Sequence, residues 1–151
     1  MTRTTCALVA LVIGLTALAA CAHEDTLGTA DDVDVERDVV LDQEFVVTVG
    51  DMVRIEGTHL LVFFDAVTED SRCPTGVQCP WEGDAAVRLE LSSDNAEFAP
   101  QPRTLHTALE PRAVEFLGVT IRLVEVAPYP NSAGPPIDPA SYTVRLIATR
   151  S

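Results

Sequence analysis

The chain contains no lysine. All ten of its basic residues are Arg, set against 23 Asp and Glu, and the net charge at neutral pH is −13. Without lysine there is no Walker-type phosphate lysine, no Schiff-base amine and no Ser-Lys dyad. So negative a chain has no electrostatic grip on nucleic acid or on anionic lipid headgroups, which both need positive surface. Aromatic residues are scarce at 5%, with Trp81 the single Trp. Histidine is limited to His23, His59 and His106, none of them at zinc-motif spacing. His-Glu-x-x-His, Gly-x-Ser-x-Gly, a glycine-rich phosphate loop and Cys-x-x-Cys are all missing. The sequence therefore assigns no catalytic residue, no metal site and no cofactor.

What is present suits one domain with a tail. The 151 residues are too few for two full domains, and a hydrophobic content of 47% excludes disorder of the whole chain. Arg3 is followed by an apolar stretch over residues 7–19. That stretch is shorter than the about 20 residues a bilayer span requires, and has the length of a signal-peptide core. It runs into Leu18-Ala19-Ala20-Cys21, which resembles the bacterial lipobox. The resemblance implies a lipoprotein signal peptide over residues 1–20. Cys21 would become the first mature residue, carrying lipid on its sulfur and its amine. Two or three acyl chains anchor a protein firmly where one does not. Ala22 stands where an inner-membrane retention signal of such lipoproteins has Asp. In a Gram-negative cell that implies the outer membrane, facing the periplasm.

Residues 21–38 are expected to be an acidic, flexible tether. Nine acidic residues from Glu24 to Glu44 face Arg37 alone, and their repulsion favours an extended chain. The run Asp32-x-Asp34-x-Glu36-x-Asp38 has the alternation of a calcium loop but Arg37 where an EF-hand needs Gly. Cys6 leaves with the signal peptide and Cys21 takes lipid, so Cys73 and Cys79 remain, in an exported and oxidising setting. Two thiolates would need two further ligands to hold zinc, and none is suitably spaced, so a disulfide is expected. The short loop limits its contribution to about 2.4 kcal/mol on the chain-entropy model.

From Phe45 onward the apolar residues repeat with period two. Phe45, Val47 and Val49 alternate; so do Val53 and Ile55; so do Val87, Leu89 and Leu91; so do Tyr142, Val144, Leu146 and Ala148. Residues 60–64 form a continuous apolar run, and Val67 follows out of step, which implies a bulge near Asp65. Val119, Ile121 and Leu123 alternate before a similar slip to Val126. Gly and Pro break these runs, and no helical apolar stripe occurs. Residues 39–151 are therefore expected to be one all-β domain, an antiparallel sandwich or barrel-like fold of about seven or eight strands. The pattern Val62-x-Phe64-x-x-Val67, loop, Val87-Arg88-Leu89 echoes Ile121-x-Leu123-x-x-Val126, loop, Val144-Arg145-Leu146. The echo suggests two related long hairpins whose proline-rich loops lie at one end.

The first of those loops carries Asp70-Ser71-Arg72-Cys73-Pro74-x-Gly76-Val77-x-Cys79-Pro80-Trp81-x-Gly83. This resembles a motif of small β-rich bacterial secreted proteins and lipoproteins, Asp-Ser-Arg-Cys-Pro followed by Cys-x-Trp-x-Gly. Pro80 stands where that group more often has an aliphatic residue. The stretch from Ile121 to Pro130 is similar to the same group, and the resemblance covers residues 45–149. It implies a fold and a location and carries no activity with it. Arg72, Trp81 and Tyr129 are the candidate contact residues, since Arg and aromatics anchor interfaces.

These features imply a lipid-anchored protein of the bacterial cell envelope, acting as a binding or structural module. Its membrane contact would be the N-terminal lipid and its partner a protein or another envelope component. Two rivals stand beside it. A small exported hydrolase would use Asp70, Glu82 and Asp84, and needs a buried carboxylate with a raised pKa near Trp81. A metal-binding lipoprotein needs His106 beside His59 or Met52.

Overall fold

The computed structural model describes residues 37–151. The expected signal peptide, Cys21 and most of the expected tether lie outside the described residues. Nine strands follow in order: β1 (Arg37–Val39), β2 (Glu44–Thr48), β3 (Met52–Ile55), β4 (Leu60–Asp70), β5 (Ala85–Ser93), β6 (Gln101–His106), β7 (Ala113–Phe116), β8 (Val119–Ala127) and β9 (Thr143–Arg150). A single 3-10 turn, Pro139–Ser141, precedes β9, with the Asp138 side chain accepting from the Ala140 amide. The all-β class is as expected, with nine strands in place of seven or eight.

The strands form two sheets. One has the order β1-β3-β4-β5-β6 and the other β2-β9-β8-β7. Both obey the period-two rule: the inward residues Val87, Leu89 and Leu91 of β5 and Val144, Leu146 and Ala148 of β9 are fully buried. They meet residues of both sheets in one hydrophobic cluster that includes Phe45, Phe64, Leu105 and Ile121. Burying apolar area in this way is the main favourable term in folding.

Two expectations change. The sheets are not purely antiparallel, because β1 pairs parallel with β3, Arg37 facing Val53 and Val39 facing Ile55. The period-two pattern reports which face is buried and is silent on strand direction, so this pairing is a tertiary outcome. β1 also takes Arg37 and Asp38 from the end of the expected tether; Val39 buries its side chain and draws its neighbours into the ladder.

The two long hairpins follow the sequence echo closely. In β4–β5 the register shifts between Phe64 and Ala66, the place of the expected bulge at Asp65. In β8–β9 it shifts between Leu123 and Glu125. Phe64 and Leu123 are corresponding positions in the two patterns. Beyond the shifts, Val67 faces Val87 and Val126 faces Val144. A bulge inserts one residue and returns the following side chain to the buried face, so Val126 is buried and Val67 half-buried.

Candidate functional site

Both hairpin loops, residues 71–84 and 128–142, lie at one end of the domain, joined by the connection between β6 and β7. The first loop continues the β4–β5 ladder past its named ends: Ser71 N–H donates to Asp84 O at 2.7 Å and Cys73 N–H to Glu82 O at 2.8 Å. Gly83 lies in this extension with φ +74°, and a Cβ there would stand 2.0 Å from the Ser71 carbonyl oxygen. Only glycine fits that approach. Cys73 and Cys79 stand at disulfide distance, Sγ–Sγ 2.10 Å, and close the turn that follows.

The loop tips are tied directly. Thr75 N–H donates to Pro130 O at 2.9 Å, and Thr75 O accepts from the amide and the hydroxyl of Ser132 at 3.1 and 2.9 Å. Thr75 and Asn131 form a parallel bridge. The expectation of a common end for the two loops is met.

Beneath the tips lies Arg72, 6% exposed. Its Nε and Nη2 donate to Asp70 Oδ1 and Oδ2 at 2.8 and 2.6 Å, a bidentate pair. Nη2 also donates to Pro128 O at 2.9 Å, and Nη1 donates to Val126 O. The guanidinium carbon sits 4.9 Å from the centre of the Tyr129 ring, within cation–π range. Tyr142 O–H donates to Asp70 Oδ2 at 2.9 Å. The end of β4 is thus fastened to the end of β8 and to the residue before β9.

The three expected contact residues therefore separate. Trp81 is 73% exposed and Tyr129 51% exposed. Arg72 is not on the surface with them. Its donors are all drawn inward, because a charge removed from water must find protein partners, and it supports Tyr129 from below. Sequence reasoning missed Leu109, which is 59% exposed and lines, with Trp81, Ser71, Gly83 and Ala108, an open depression of about 430 Å³. A second depression of about 150 Å³ is lined by Arg72, Thr107 and Tyr129. Glu82, Gly83 and Ala108 line both, which makes them one groove.

The carboxylates behave as anchors. Burial works to raise the Asp70 pKa, but the bonds from Arg72 and Tyr142 outweigh it and hold the group below the ordinary aspartate value. Burial also works against the Asp84 charge. It is outweighed by the amides of Ala108 and Leu109, by His106 and by the Thr107 hydroxyl, so this pKa is lowered as well. Asp84 thereby pins the turn that carries Leu109, with Oδ1 accepting from Ala108 N–H at 2.8 Å and Oδ2 lying 2.6 Å from His106 Nδ1. A general acid at neutral pH needs the opposite shift. His59 pairs instead with Asp94, beyond the far end of β4 and β5 from His106. A shared metal site would need the two histidines together.

Comparison with known proteins finds no matching family model, no similar curated protein and no similar solved structure.

Replacing one partner of a buried ion pair leaves the other charge stranded. Arg72→Met should therefore cost about 3–5 kcal/mol in urea unfolding. The double change Arg72→Met with Asp70→Leu should cost less than Arg72→Met alone. A double variant as damaged as the sum of both singles would refute the pairing. Arg72→Lys should also destabilise, since an ammonium lacks the planar fork.

Acid should loosen the same end. Asp70 and Asp84 have folded pKa values below the ordinary 3.8. Their contribution is complete above that value and is lost as pH falls through it towards the folded pKa. Stability followed by urea unfolding should drop below about pH 4, and Asp70→Asn should flatten that limb. An acid limb identical in wild type, Asp70→Asn and Asp84→Asn would contradict the assignment.

Proposed function

We propose that this protein is a lipid-anchored binding module of the bacterial cell envelope, presenting the joined loop end to a partner. The carrying observation is the tie between the loops: Thr75 bridged to Asn131, with Trp81 and Tyr129 exposed on the fastened surface. Loops on a rigid scaffold are the usual place of recognition, and aromatic side chains are favoured anchors.

The anchor rests on the lipobox resemblance at Leu18-Ala19-Ala20-Cys21, and the exported setting accords with the Cys73–Cys79 pair. In a Gram-negative cell, Ala22 after the lipidated Cys favours the periplasmic face of the outer membrane. The acidic stretch after Cys21 would act as a spacer, and an anionic bilayer surface would repel it. A binding module accords better than a hydrolase with the lowered pKa values of Asp70 and Asp84.

Two measurements test the two halves of this reading. Cys21→Ser should lose the acyl mass and move from the detergent phase to the aqueous phase; unchanged partition would end the anchoring proposal. A photoreactive amino acid at position 81 or 129 should yield an envelope cross-link in living cells that is absent when it replaces Leu117, which lies in the turn between β7 and β8 away from the loop end. Equal cross-linking at all three positions, or none at 81 and 129, would end the proposal that this end meets a partner in the envelope.

A further inference from the structure

The groove across the loop end has a definite chemistry. Its larger part is lined by the exposed Trp81 and Leu109 and by Gly83 and Ala108, which carry almost no side chain, with Ser71, Glu82 and Asp84 as its polar lining. Such a lining accepts an apolar side chain or a proline ring between its exposed Trp81 and Leu109. The groove continues past Gly83 and Ala108 to Tyr129. A ligand that touches both Trp81 and Tyr129 has to span the two adjoining depressions, which favours an extended one.

The charge lining this groove is unbalanced. Arg72 is the cation at its Tyr129 end, and its donors are taken up by Asp70, Val126 O and Pro128 O. Asp84 is occupied by His106, Thr107 and the amides of Ala108 and Leu109. Glu82 lines both halves of the groove and is exposed. Among the described residues its carboxylate has no hydrogen-bond or ion-pair partner. It is the uncommitted charge of the groove and it is negative. Complementarity therefore calls for a cation on the ligand.

The same bookkeeping disfavours a second copy of this chain. Its net charge of −13 and its lack of lysine would set like charges against each other. Resting on the reading of this end as the binding face, we propose that the groove takes an extended, basic segment of a partner protein. A proline or aliphatic side chain of that segment lies between Trp81 and Leu109, and an Arg or Lys lies beside Glu82. Aromatic-lined grooves suit proline-containing extended segments because such segments lose little entropy on binding. The fastening of the loops lowers the cost on the protein's side as well.

Trp81 is the chain's single Trp, so its emission reports on this groove alone. The full chain in a non-ionic detergent is titrated with a synthetic peptide of repeated Pro-Leu-Arg and with its Pro-Leu-Glu counterpart. The Arg peptide should change the Trp81 emission saturably and the Glu peptide should not. Leu109→Ser, at an exposed position that the fold does not need, should weaken the Arg peptide at least about tenfold. Glu82→Gln should weaken it about two- to fivefold and reduce its dependence on salt. No saturable response to the Arg peptide overturns the proposal, and so does an equal response to the Glu peptide. A saturable response to chito-oligosaccharide alone overturns it in favour of a glycan. If position 81 cross-links in cells while the Arg peptide fails, the binding face stands and this partner chemistry falls. If the Arg peptide binds and no cross-link forms, the groove chemistry stands and the envelope role falls.

Discussion

Arg72 carries a full positive charge into a place where water scarcely reaches it, and its N–H groups have to find acceptors in the protein. The nearest carboxylate, Asp70, lies two residues back on β4 and takes two of them. The carbonyls of Val126 and Pro128 take two more, at the point where β8 gives way to its loop. A guanidinium can do this because its donors form a flat fork. Two bonds go to the end of β4 and two to the end of β8, so a single side chain ties the ends of two sheets together. Buried ion pairs are uncertain sources of net stability, since desolvation offsets much of the attraction. Here the pair decides which loop lies against which.

The position of the exposed aromatics follows from that constraint. Tyr129 stacks over the Arg72 guanidinium, so one face of its ring is engaged and the rest is left to solvent. Trp81 lies beyond the Cys73–Cys79 pair, in the extension of the β4–β5 ladder that only glycine at position 83 allows. Asp84 then repeats on a smaller scale what Asp70 does. It gathers His106, Thr107, Ala108 and Leu109 around one carboxylate and so fixes the part of the groove that Ala108 and Leu109 line. Two lowered-pKa aspartates, each at or just beyond the base of a loop, organise the surface that carries Trp81, Leu109 and Tyr129. Carboxylates in such a role serve the geometry of the loops and have no free proton to give.

The two long hairpins carry this arrangement. One register shift in each falls at a corresponding place, after Phe64 and after Leu123, and β4–β5 has a second between Val67 and Glu69. Each shift turns the strand ahead of its loop and increases the local twist. The loops that follow then reach each other at Thr75 and Asn131.

Strand positions were legible in the sequence because burial on one face imposes a period of two, and that period survives without any knowledge of partners. The bulge at Asp65 was legible for the same reason: Val67 is out of step with Phe64, and only an inserted residue restores its side chain to the core. Cys73 and Cys79 could be paired by elimination, and Trp81 and Tyr129 could be picked out as candidate anchors by residue type and loop context. The parallel placement of β1 was not legible, since alternation carries no direction. Nor was the burial of Arg72. A lone Arg in a polar loop motif looks like a surface group, and its acceptors Val126 O and Pro128 O are backbone atoms more than fifty residues away, which no side-chain pattern records. Leu109 was missed for a similar cause. It comes to line the groove because Asp84 fixes its turn, a contact that arises when β5 pairs with β6, and alternation does not record which strands pair.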